Sequence, residues 1–308
     1  MAITELNNTM SKSRISRATG ISRPTIYSEL NHTESVKEYN TRMDNDTVNK
    51  IIEISSGRIT YGHRRVWAML RNSGIHVNKT TVYKIMKKNK LALPAYVHKP
   101  KETLKLEIAG KPNMIAETAL TYIPTKIEMA YLICLKDAFS KKWYGYNYGK
   151  GCTARDAISA VINSISNQFN GNIPDNFILR TDNGPPFISD RFNKELKMLN
   201  IKHEYIEKET PTENGDIESF HNSIKADYIW VGEIENCSDG TKLIEKAFNG
   251  YNNIRPHSTI NYYSPAVFEE KWFNDSKFRE EYREYLDKLK ERRYRRYRKN
   301  KKVMKSVR

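Results

Sequence analysis

Long hydrophobic runs are missing from this chain. The longest uninterrupted apolar stretch, Met129 to Leu135, falls far short of the roughly 20 residues that a membrane helix needs. The opening segment, MAITELNNTMSKSR, holds no apolar core of the kind a secretory signal requires. Cysteine is scarce. Cys134, Cys152 and Cys237 lie far apart with no CxxC pair, which excludes a disulfide framework and a Cys-rich zinc site. Acids are absent from residues 61–101, where ten Lys or Arg stand. They are nearly absent from 288–308, where twelve Lys or Arg face the single Glu291. What remains is a chain of 308 residues with 52 basic and 36 acidic side chains, a net charge of +16. Its 38% hydrophobic content suffices for a core, and 11% aromatics argue against disorder. The expectation is a cytoplasmic protein of about two domains whose partner is a polyanion, most simply nucleic acid, with no membrane and no small-molecule substrate.

The N-terminal third reads as helical. In SKSRISRATGISRPTIYSELN, Ile15 and Ala18 turn one helix inward and Gly20 sits where a tight turn needs positive φ. Ser22 is placed to cap a second helix, with Pro24 in its first turn and Ile26 and Leu30 on one face. That leaves Arg23, Thr25 and Tyr27, with Arg17 nearby, for a DNA groove. A second unit has helices predicted over 47–55, 63–72 and 78–89. Val66, Trp67 and Leu70 form one apolar stripe, and Val82, Ile85 and Met86 another, leaving Lys79, Thr80 and Lys84 outside. Arg64 and Arg65 are assigned to DNA phosphates. Residues 93–111 read as a linker.

From residue 112 the pattern changes. Strands are predicted at Leu120–Ile123, Met129–Leu135, Trp143–Tyr148, Asn176–Arg180 and Ile201–Ile206, with helices at 153–168, 190–199 and 213–228. This is an α/β layer architecture with a mixed sheet. A helical segment then runs into the tail RRYRRYRKNKK, where Arg292 and Arg295 are candidates for DNA, interleaved with stacking tyrosines. The expected boundaries are 1–44 and 45–92 for two helix-turn-helix modules, 112–272 for the core and 273–308 for a basic helical tail.

Two acids stand out. Asp182 ends a predicted strand in the turn TDNG. Glu218 lies in a helix, 35 residues intervening, at the border of the apolar face formed by Ile217, Phe220, Ile224 and Tyr228. Lys225, two turns on, can hold a phosphate. A strand-end Asp and a helix Glu suit divalent ions that clamp an in-line phosphoryl displacement. Singly, each has an ordinary role, Asp182 as a turn former and Glu218 as a surface residue.

The words around them resemble a family. YGHRRVWAMLRNSGIHVNKTTVYKIMKKNKL, PNMIAETALTYI, YLICLKDAFSKKWYGY, RTDNGPPFIS, PTENGDIESFHNSIK and YNNIRPHSTINYYSPAVFEE, in that order, are similar to the integrase-like transposases of insertion sequences, relatives of retroviral integrases. The resemblance implies a ribonuclease-H-like core, Asp-Asp-Glu chemistry on DNA, magnesium with manganese able to substitute, and a homodimer or higher assembly that pairs two DNA ends. It implies a bacterial or archaeal, DNA-associated protein; the seven His form no metal-ligand pattern, and the His-His-Cys-Cys zinc module of retroviral integrases is absent from this sequence. It also implies roles for Arg255 and His257 near the end of the core, on DNA or in fixing their loop.

One position departs. The first Asp of the family falls on Ala119, and its common tryptophan on Ala116. A methyl group cannot bind a metal, so the chain as written is expected to be inactive, and a magnesium site is in question. Two substitutes are available in sequence, Glu117 on the same strand face and Asp137 on the next strand. Ala119 is either an engineered substitution or the mark of a decayed or repurposed copy, and the intact neighbouring motifs favour the first. The alternative to an enzyme is a non-catalytic DNA-binding protein, a domesticated transposase or repressor; a structure-specific nuclease is a third reading. His221 is expected on the helix surface, and Trp143, Trp230 and Trp272 in the core or an interface.

Overall fold

Alternation of side chains on five strands builds the centre of the molecule. The structure is a computed structural model that describes residues 10–31, 44–93, 109–206 and 215–288, together with Ile3, Leu6, Asn7 and Glu291. Strands β1 (Ile115–Pro124), β2 (Met129–Asp137), β3 (Trp143–Gly149), β4 (Ile178–Thr181) and β5 (Lys202–Tyr205) form one sheet in the order β3-β2-β1-β4-β5. β1, β2 and β3 run antiparallel as a meander, and β4 and β5 lie parallel to β1. The parallel pairs need crossovers, supplied by helices before β4 and β5. This three-plus-two mixed sheet flanked by helices is the ribonuclease-H-like core expected from the sequence.

Before it come α1 (Lys12–Thr19), α2 (Arg23–Asn31), α3 (Asn45–Gly57), α4 (His63–Asn72) and α5 (Lys79–Lys88). Gly20 takes φ +74° between α1 and α2, and the Ser22 hydroxyl accepts from the Thr25 N–H at 3.3 Å, as the turn chemistry requires. Ile15 and Ile26 are buried together with Ile3, Leu6 and Ile21. Val66, Leu70, Val82, Ile85 and Met86 form a separate core with Ile51 and Tyr61.

Within the sheet region, α6 (Ala154–Phe169) covers one face. Asp156 accepts from both the backbone N–H and the hydroxyl of Thr153 at its start. Ala116, Ile133, Leu135 and Leu179 pack under it. β3 approaches so closely that a Cβ on Gly145 would lie 2.8 Å from the Ser164 backbone, so glycine is required there. The short α7 (Pro185–Ile188) and α8 (Asp190–Met198) follow β4. The other face carries α9 (Gly215–Ile224), which continues as one π-helical turn over Lys225–Ile229, and α10 (Cys237–Asn253). In that turn the Trp230 N–H donates to the Lys225 carbonyl at 2.7 Å. Trp143, fully buried, anchors this layer. Its ring meets Phe220 of α9 at 5.1 Å and Phe248 of α10 at 5.3 Å, and its Nε1–H donates to the Gly145 carbonyl at 2.9 Å. Burial of so large a ring contributes on the order of 3 kcal/mol and fixes where α9 lies.

Some boundaries differ from expectation, each for a local reason. β1 starts five residues early because Glu117 and Thr118 interrupt the apolar signal although both are buried. β4 starts late because Asn176 has φ +60°, outside the strand region. α10 was not expected; its glycines and polar residues hide the stripe Ile244, Ala247 and Tyr251. Most of the linker, residues 94–108, lies outside the described residues. The described residues from Ala266 onward form a second compact unit. There α11 (Pro265–Asn274) and a helix over 276–288, α12, pack by ring contacts, Phe268 against Tyr282 at 4.8 Å and Trp272 against Tyr282 at 6.1 Å. Among the described residues no helix is long and apolar enough to cross a membrane.

Candidate functional site

Asp182 stands one residue past β4. Its Oδ1 accepts the Gly184 N–H at 2.8 Å, and burial raises its carboxyl above the usual range. Thr118 pairs with Thr181, so Ala119 and Asp182 are the next positions along neighbouring strands. Ala119 is 3% exposed and shares an apolar cluster with Ile217 and Phe220 of α9. Glu218 is exposed on α9, which packs over β1. Ala119, Asp182 and Glu218 therefore lie on the central strand β1, in the turn after its neighbour β4, and on the helix that packs over β1.

Neither substitute acid is available. Asp137 pairs with Ala116, whose side chain faces α6, so it points away from α9. It is wholly buried and accepts from the backbone N–H groups of Asn113, Phe139 and Ser140 and from the Tyr144 hydroxyl. Glu117 does face α9, but its carboxylate lies 3.0 Å from Lys136 Nζ and 3.7 Å from Arg180 Nη1. Among the described residues no group of three or more His, Cys, Asp or Glu is arranged to hold a metal. Two carboxylates beside a methyl do not fit a pair of magnesium ions, each of which leans on a shared acid.

Beside Ala119 runs a ladder of charge. Lys136, Glu117, Arg180 and Glu204 occupy paired register positions on β2, β1, β4 and β5. Arg180 Nε donates to Glu204 at 2.7 Å, and Lys136 Nζ also reaches Asp216 at 2.8 Å. Burial works against the Lys136 ammonium, but the Asp216 and Glu117 carboxylates outweigh it and hold its pKa above the ordinary value. Asp216 is the mirror case: burial would raise its carboxyl, yet Lys136 and Lys141, the latter at 2.6 Å, depress it. The sequence reading missed this ladder. Its signal was a lysine at the inward step after Ala130, Leu132 and Cys134. Lys136→Met is expected to cost about 2 kcal/mol, below the full cost of breaking a buried pair, because Arg180 and Lys141 still face the two orphaned carboxylates. Adding Glu117→Gln should recover part of the loss in urea unfolding.

A second charged cluster joins the helical segment before the sheet to the core. Asp227, almost buried, accepts from Arg255 Nε and from the Thr60 hydroxyl, both at 2.7 Å, and Arg65 Nη1 lies 3.9 Å away. Arg65, expected on DNA, is therefore turned towards an acid. Arg255 is 2% exposed and its Nη1 donates to His257 Nε2 at 3.0 Å, which fixes the loop in place. His257 is half-buried, its imidazole held neutral by burial and by Arg255. His221 is buried, not on the helix surface, and desolvation drops its pKa to about 3. The side chain of Lys225 is half-buried, and burial lowers its ammonium pKa. Trp143 and Trp272 are buried, as expected, and Trp230 is half-buried.

The remaining candidates face outward. Arg17, Arg23, Thr25 and Tyr27 are exposed on α1 and α2, with Arg23 held to the Ser13 hydroxyl at 2.7 Å. Arg64, Lys79 and Thr80 are exposed, Lys84 half so, and Lys79 Nζ stacks 4.0 Å over the Trp67 ring. Arg292 and Arg295 lie outside the described residues.

Residues 109–211 match the family described as Integrase core domain, and residues 199–265 match a second family of the same description. Residues 42–99 match the HTH-like domain family. The transposase for insertion sequence element IS904 of Lactococcus lactis is 26% identical over 68% of this chain and 87% of its own length. The transposase InsD for insertion element IS2D of Escherichia coli is 25% identical over 83% of this chain and 90% of its own. The chain belongs to the integrase-like insertion-sequence transposases. Among solved structures, a chain of the simian T-cell lymphotropic virus intasome with PP2A regulatory subunit B56 gamma is 20% identical, covering 67% of the transposase and 70% of that chain, with a TM-score of 0.42. The HTLV-2 integrase catalytic core domain in complex with magnesium is 25% identical, covering 50% of the transposase and 94% of that chain, with a TM-score of 0.36. The integrase-core matches run through all five strands and α9, and so contain positions 119, 182 and 218.

Proposed function

We propose that this transposase binds the terminal inverted repeats of its insertion element and pairs two ends as a homodimer or larger assembly. In its active form the family reading gives Asp-Asp-Glu polynucleotidyl transfer: hydrolysis at the element's end, then attack by the freed 3′ hydroxyl on a second phosphodiester. Asp182 and Glu218 are the two acids this chain keeps. Ala119 stands at the third, so the chain as written binds DNA and does not cut it efficiently.

The observation that carries this reading is the placement of Ala119 and Asp182 one step beyond the Thr118–Thr181 pair of β1 and β4, while Glu117 and Asp137 are both committed to other partners. A non-catalytic DNA-binding protein is the second reading, and the same commitment of both acids favours it over a rescued enzyme. In either case the exposed faces of α2 and α5 are the elements for base reading, with 1–44 and 45–92 as separate modules and 273–308 as a basic arm.

Titration of a fluorescent duplex carrying the element's terminal repeat tests the shared core of both readings. Affinity for the repeat should exceed that for a scrambled duplex by at least about 100-fold. It should fall on the order of 10³-fold between 50 and 200 mM salt, as expected when six or more phosphates are neutralised. Equal affinity for the two duplexes would remove the sequence-reading role.

A further inference from the structure

A cleft of about 590 Å³ opens where the N-terminus of α4 meets α9 and the loop after α10. Five cationic side chains line it, Arg64, Arg65, Lys136, Lys141 and Arg255, against the single carboxylate of Asp216. Two more acids touch those cations from behind, Glu117 at Lys136 and Asp227 at Arg65 and Arg255. Five positive charges against three negative leave the wall with an excess of two.

Two buried donors there have no partner. Arg255 Nη2 and the Tyr251 hydroxyl are shielded from solvent and make no hydrogen bond, and both residues line the cleft. A buried guanidinium nitrogen without an acceptor is costly, and a native site keeps one where something supplies the acceptor. Gly62 brings no side chain to cap α4, so the start of that helix also faces the cleft with its positive dipole end. Ser219 and Ser223 of α9 add hydroxyls on the opposite wall. Charge excess, one unpaired guanidinium nitrogen, a phenol and a helix N-terminus around one space match a tetrahedral oxyanion.

We infer that this cleft is a binding site for a phosphate group, separate from the acid corner at Asp182 and Glu218. At 100° per residue, Ser219 and Ser223 lie on one side of α9 and Glu218 and Lys225 on the other. A strand crossing α9, a cylinder about 10 Å across, can set one backbone phosphate in the cleft while another lies over the acid corner. Occupancy would also tie α4 to the core through Arg65 and Arg255, fixing the angle between the DNA-reading helices and the sheet. The choice of a DNA phosphate as occupant rests on the transposase reading; the anion site itself does not.

The test uses the full chain and two probes, inorganic phosphate and a nonspecific DNA duplex. Thermal unfolding is compared in sodium phosphate and in sodium chloride of equal ionic strength. Arg255→Ala would strand Asp227 and can fail to fold, so the informative variants are Ser219→Leu and Ser223→Leu, which fill the cleft from an accessible wall. The parent chain should gain roughly 2 °C or more specifically in phosphate, and both leucine variants should lose that gain while unfolding normally in chloride. For the duplex, the same variants should bind about 10-fold more weakly, with a salt slope shallower by about one. A phosphate gain with unchanged duplex binding would support the site and assign it to free phosphate. No phosphate-specific gain in the parent chain, or an equal gain in the leucine variants, would overturn it. Failure of the transposase reading shows separately, as loss of terminal-repeat preference with the phosphate response intact.

Discussion

Ala119→Asp is expected to give this transposase magnesium-dependent cleavage at its own element's ends, at least about 10³-fold above the parent chain, equivalent to about 4 kcal/mol of barrier. The argument is one of donors. Asp182 and Glu218 keep their places, and the new carboxylate would extend from β1 beside Asp182, where Ala119 now packs in an apolar cluster. Without a divalent cation the change should be destabilising, because a nearly buried acid is set next to Asp182, whose own carboxyl burial already pushes up. Addition of magnesium should therefore raise the melting temperature of Ala119→Asp and leave that of the parent chain nearly unchanged. Ala119→Asn, similar in shape but neutral, should restore little. Adding Asp182→Asn to Ala119→Asp should return cleavage to background. A folded Ala119→Asp protein that binds its repeats and still fails to cut them would favour the non-catalytic reading.

Asp227→Ala is expected to cost about 3–5 kcal/mol of stability, the usual result of removing one member of a buried charge cluster. Arg255 and Arg65 would then face each other with no counter-charge, and the Thr60 hydroxyl would lose its acceptor. The pH dependence has a definite sign. Burial raises the Asp227 carboxyl, but Arg255 and Arg65 outweigh it and hold the folded-state pKa below the ordinary 3.8. A carboxyl depressed by folding contributes stability that is fully present above its unfolded value and is lost as pH falls through the folded value. The parent chain and Asp227→Asn should thus differ most above about pH 4 and converge below it. Urea unfolding at pH 7 and pH 3 measures both points. An equal gap at the two pH values would show that the carboxylate charge is not what holds Arg255 and Arg65.

Much of the fold was legible because its elements follow local rules. The spacing of Ile15, Ala18, Gly20 and Ser22 dictates a helix, a left-handed turn and a cap, and the structure contains each. The five strands stand near the expected places because short apolar runs between turns mark strands buried on both faces without knowledge of partners. Asp182 and Glu218 could be singled out from their positions at a strand end and on a helix border, and from the words around them.

The charged interior could not be read that way. Glu117, Lys136 and Asp216 are far apart in sequence, and each looks like a surface residue until β1, β2 and α9 are stacked. Whether Arg65 faces solvent or Asp227, and whether His221 lies on a surface or inside, depends on which helix face the core covers. Sequence alone determined most of the elements, the basic character and the methyl group at position 119, since propensity, charge and residue identity are local properties. The tertiary structure alone decided that Glu117 and Asp137 are spent on other partners and that five cations surround one cleft, because the electrostatics of a buried group are set by neighbours that only folding brings within a few ångströms.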